Sequence, residues 1–109
     1  MTEQIETLNT LASFSPRFNS CSAYSELDAI LSKFTQVLNF FNSYSEDYKR
    51  ATTLYYSDIS SIRDNIQYSL YAPSQEEKIK AFESAGNELR ANILALATLV
   101  KPHEEMAVA

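Results

Sequence analysis

An all-α fold, an antiparallel bundle of three long helices plus a short N-terminal helix, is predicted by three features of this 109-residue chain. Glycine occurs once and proline three times, which starves the chain of the turn residues that β-hairpins and phosphate loops need. From Leu27 to Leu70 an apolar stripe runs through Ile30, Phe34, Val37, Phe41, Tyr44, Tyr48, Ala51, Tyr55, Ile59, Ile62 and Ile66 in steps of three and four, the spacing of one helix face. Prolines at 16, 73 and 102 and Ser-x-x-Glu signatures fall where helices should stop and start. Residues 1–101 therefore read as a single helical domain, with 102–109 as a flexible C-terminal tail.

The first helix starts near Thr2, whose hydroxyl can cap it, and Ile5, Leu8 and Ala12 line one side with Leu11 and Phe14 beside them. Pro16 disfavours helical geometry at Ser15, so Ser15 to Ser22 is expected as a connector, with Cys21 as a partly buried small residue within it. The second helix, about Ala23 to Phe41, spreads its apolar residues over roughly 140° of the wheel, more than a one-sided surface helix needs. Such a helix is either central in its own bundle or buries a second face against another chain.

The run Asn42 to Asp47 decides the architecture. Ser43 followed by Glu46 reads as a capping box, which favours a break and an antiparallel hairpin. Against it stands the stripe itself, because one helix from Ala23 to Ala72 would carry the same seam over about 75 Å and would have to oligomerise. The hairpin is preferred. The third helix then spans Glu46 to Tyr71 and ends at Pro73, leaving Leu54, Tyr56, Tyr68 and Tyr71 off the stripe. The fourth, Gln75 to Lys101, opens on the Ser74–Glu77 capping box and turns Ile79, Phe82, Gly86, Leu89, Ile93, Leu96 and Val100 to one side. Gly86 on that seam suggests a bulky neighbour or a close helix crossing. Leu94, Ala95, Ala97 and Leu99 make the later half apolar nearly all round, which predicts deep burial, in this chain or against another.

Chemistry is sparse. His103 is the one histidine and Cys21 the one cysteine, so a catalytic triad, a His/Cys zinc site or a di-iron bundle would lack ligands, and no cofactor is expected. Carboxylates are spread over exposed faces with no spacing that sets a pair inside a bundle, and Asp58 and Arg63, like Glu76 and Lys80, read as surface charges. An enzyme is not expected. The net charge of −5 and pI near 4.8 disfavour nucleic acid. The longest mostly apolar run, Ala91 to Val100, is too short for membrane insertion. With no secretory signal and one cysteine, a cytoplasmic location is expected, export by a signal-independent route being the alternative.

What remains is seven tyrosines and six phenylalanines without tryptophan. Tyrosine combines large contact area with a polar tip and is enriched at protein interfaces. The expected function is protein–protein contact, as an adaptor, chaperone or assembly subunit, with a homodimer or another helical chain as partner. The interface candidates are Leu31, Leu38, Phe40, Tyr56, Tyr68, Tyr71, Leu94 and Leu99. A second reading is a small apolar ligand held among Phe34, Phe41, Phe82 and Tyr55. A third is an exported helical-hairpin effector: in size, acidity and hairpin pattern the chain is similar to secreted proteins of the WxG type, from which it departs in having no tryptophan.

Overall fold

The structure, a computed structural model, describes residues 2–13 and 23–108, with side-chain surroundings for 3–13 and 24–100. Phe14, the connector with Cys21, the cap at Thr2 and the side chains of 101–109 lie outside the described residues. Every regular element among them is helical: α1 (Thr2–Leu11), α2 (Ala23–Tyr44), α3 (Glu46–Thr52), α4 (Tyr55–Tyr71) and α5 (Gln75–Val108).

The break after α2 forms at Ser45, later than the Ser43 box implies. Ser45 takes an extended backbone, φ −157° and ψ 163°, and its Oγ accepts from the Tyr48 N–H at 3.2 Å. α3 then folds back onto α2. The Asn42 side-chain amide donates to Thr52 Oγ1 at 3.1 Å, and the rings of Phe41 and Tyr48 meet edge to face at 5.4 Å. A single long helix is thereby overruled.

The expected third helix is two helices. Thr52 and Thr53 each donate a hydroxyl to a carbonyl one turn back, on Tyr48 and Lys49, and such back-bonding competes with the helical ladder. At the joint the bonds tighten to three-residue steps, Tyr56 N–H to the Thr53 carbonyl and Ser57 N–H to that of Leu54. Just before the joint Thr52 is buried where the stripe placed Ala51, which is exposed, and beyond it Ile59, Ile62 and Ile66 are buried as the stripe predicts.

Between α4 and α5 the sequence signals hold. Ala72, ahead of Pro73, is extended at ψ 146°, and Ser74 Oγ accepts from the Glu77 N–H at 3.2 Å. α5 departs from expectation at its far end, continuing through Pro102 to Val108. Proline removes one ladder bond without forbidding helix on either side, and Glu104, Glu105, Met106 and Ala107 favour helix.

Two hydrogen bonds set the direction of α4 against α2. Tyr24, at the start of α2, donates to the Ser69 carbonyl near the end of α4 at 3.1 Å, and Tyr56, at the start of α4, donates to Asn39 Oδ1 late in α2 at 2.6 Å. The two helices are antiparallel. The ring of Phe82 sits 5.4 Å from that of Tyr24, so α5 starts beside the start of α2 and runs back along α4. One core joins Ile5 and Leu8 of α1, Leu27 to Phe41 of α2, Ile59, Ile62 and Ile66 of α4, and Phe82 to Val100 of α5. Gly86 is buried in α5 as the seam requires. The particle measures 51 × 23 × 16 Å, and a 34-residue helix such as α5 spans its long axis.

Candidate contact surface

The eight nominated side chains divide. Leu31 and Leu38 are 1% and 0% exposed, so they belong to the core and cannot serve as interface residues. The physical reason is that α2 is central: it touches α1, α3, α4 and α5, and its wide apolar arc is consumed within its own chain. Phe40 is half-buried, with its ring 5.2 Å from Phe41 and 5.8 Å from Tyr44. Tyr56 is half-buried and held by Asn39, and Leu99 packs against the core. Only Tyr68, Tyr71 and Leu94 stand free of the core, at 52%, 84% and 47% exposure. Leu94 and Ala95 are not buried within this chain, because the face of α5 that carries them points away from the other helices.

Tyr68 and Tyr71 are brought together on the last turns of α4, while Leu94 lies apart on α5. Tyr68 overhangs a shallow hollow between α4 and α5 walled by Asn65, Glu77, Lys80, Ala81 and Ser84. On the other flank of α4, Leu70 lines a groove shared with α2, formed with Tyr24, Asp28, Arg63 and Ile66. Leu70 is exposed although the stripe predicted it buried, because Ser69 takes the buried position beside it. Two further exposed side chains, Leu54 and Tyr44, lie at the other end of α4, around the fold-back of α3. Leu54 was signalled by its place off the stripe. Tyr44, being on the stripe, carried no such signal.

The electrostatics of the surface are modest. Asp47 and Arg50 form an exposed ion pair at 3.7 Å. Packing of α4 on α5 does produce one carboxylate juxtaposition that spacing along the chain did not reveal. Burial, and then the negative charge of Asp58, push the Glu88 carboxyl above its ordinary range. Burial likewise raises the phenols of Tyr48, Tyr55 and Tyr56 above their ordinary value. Phe34, Phe41 and Phe82 are buried in the core, and Tyr55 packs half-buried at its edge.

Among the described residues no cluster of three or more His, Cys, Asp or Glu side chains comes together, and no helix is long and apolar enough to cross a membrane. Comparison of the chain with protein-family models, with curated proteins and with solved structures finds no match.

Proposed function

We propose that this chain is a non-catalytic antiparallel helical bundle that acts by protein–protein contact in the cytoplasm, as an adaptor, chaperone or assembly subunit. Its contact surface is the corner formed by the last turns of α4, and its partner is a second copy. The observation that carries this reading is the exposure of Tyr71 and Tyr68, at 84% and 52%, on one short stretch of helix. Neither phenol is needed by the core. Tyrosine gives up little rotamer entropy for the area it covers, which suits a contact residue. Glu77 and Lys80 flank Tyr68 with opposite charges, so the patch can face itself across a two-fold axis with each charge meeting its complement. The non-catalytic part rests on the sequence, which offers one histidine, one cysteine and carboxylates scattered over solvated faces.

Sedimentation velocity and crosslinking at low micromolar concentration test the proposal, using the wild type and a Tyr68→Ser, Tyr71→Ser double variant. The wild type is expected to sediment as a dimer and the variant as a monomer with unchanged helicity. A wild type that stays monomeric and binds no hydrophobic-surface dye overturns it.

A further inference from the structure

The corner at the end of α4 has a raised part and a recess side by side. Tyr71 is the most exposed large hydrophobic side chain among the described residues, at 84%, and neither it nor Tyr68 has a hydrogen-bond partner within the chain. Beside Tyr68 the α4–α5 seam opens into a hollow of about 460 Å³, lined by Asn65 of α4 and by Glu77, Lys80, Ala81 and Ser84 of α5. That is room for a phenol ring, with polar groups at hand for its hydroxyl. Tyr71 does not line the hollow of its own chain.

Symmetry relates the two parts. When two copies of one helix pack antiparallel about a two-fold axis, the residue on the axis meets itself, and the residue n places after it meets the one n places before. The exposed face over the last turns of α4 presents Asp64, Tyr68 and Tyr71. An axis at Asp64 would set two carboxylates against each other. One at Tyr71, where α4 ends, would leave little helix to overlap. An axis at Tyr68 brings the two Tyr68 rings together and sends Tyr71 opposite Asn65, at the hollow. Asp64 then meets Ala72 and Arg63 meets Pro73, so no like charges are opposed along α4.

We propose, on the reading that a second copy docks at this corner, that Tyr71 of each copy seats in the hollow of the other. Its hydroxyl donates to the Glu77 carboxylate and accepts from the Lys80 amine, neither of which is engaged in an ion pair among the described residues. Seating is reciprocal, so each pair of chains contains two such contacts.

Two variants of the full-length chain separate the ring from its seat. Tyr71→Ser removes the ring and keeps the hollow, and Ser84→Arg fills the hollow and keeps the ring, both at exposed helical positions. Each alone loses both contacts. By sedimentation velocity each should self-associate about a hundredfold more weakly than wild type, at about tenfold per contact, with unchanged helicity by circular dichroism. Mixed in equal amounts they regain one contact, because the ring of the Ser84→Arg copy finds the open hollow of the Tyr71→Ser copy. The two masses differ, so native mass spectrometry counts the mixed pairs. These are expected to make up about nine in ten of all pairs, against about half for random pairing. Random pairing in the mixture, when the wild type dimerises and the Tyr68→Ser, Tyr71→Ser variant does not, overturns the seating and leaves the corner as the interface. A wild type that stays monomeric, or that pairs regardless of both tyrosines, overturns the two together.

Discussion

Glu88 is a residue whose charge costs the folded state something. Its carboxyl is raised by burial and by Asp58 across the α4–α5 seam, so the ionised form is less favoured in the fold than in the unfolded chain. With the folded pKa above the unfolded one, the associated stability is fully present below the ordinary glutamate range and is lost as pH rises through the folded value. Glu88→Gln is therefore expected to raise the melting temperature at pH 7 by roughly one to three degrees, a partly exposed group being well screened. The gap should close below about pH 4. Melting curves across that window decide it, and a variant that melts no higher than wild type at pH 7 would show the strain is absent. The sequence could not reveal this pair, because Asp58 and Glu88 lie on different helices and meet only through the register of α4 on α5. Buried polar residues escaped for a related reason. Thr52, Ser69 and Asn92 read as surface by hydrophobicity, yet each satisfies itself on a carbonyl of its own helix, of Tyr48, Ile66 and Glu88 respectively.

Among elements, the helix ends that depend on proline and serine chemistry were legible, and those that depend on tertiary contact were not. Ala72, Pro73 and Ser74 end α4 and begin α5 as their residue types dictate. The α2–α3 break was visible as a polar run, but its cap moved to Ser45 because α2 continues to Tyr44, whose ring lies tilted against those of Phe40 and Tyr48. The joint at Thr53 and Leu54 left no clear mark on a stripe that passes through it. Ser45→Ala removes the one side-chain cap of a seven-residue helix and is expected to cost about 1 kcal/mol. Urea titration measures that cost. Circular dichroism of the same variant should be unchanged, since the Asn42–Thr52 bond and the Phe41–Tyr48 contact still hold α3 against α2. A rise in helicity with loss of compactness would mean that the cap alone prevents fusion of the two helices.

At the scale of the molecule, the sequence posed a choice for α2 between bundle centre and interface, and wheel geometry could not resolve it. A wide apolar arc looks the same whether the chain's own helices or a partner's cover it. The fold answers through α1 and α5, which close over the sides of α2 that the α2–α4 pairing leaves open. Leu38→Ala should then behave as a core truncation, costing about 2 to 5 kcal/mol through lost burial and the cavity left behind. Tyr71→Ser, on a side chain 84% exposed, should change stability by no more than about 0.5 kcal/mol. Urea unfolding of both variants at one low chain concentration separates the two kinds of residue. Running the same pair at high concentration asks a further question of them. If association through the tyrosine corner stabilises the fold by mass action, the midpoint of the wild type rises with concentration, as does that of Leu38→Ala from its lower start, while that of Tyr71→Ser lags behind. Equal concentration dependence in all three would detach the exposed tyrosine from any role in association and leave its exposure without a purpose in the assembled state.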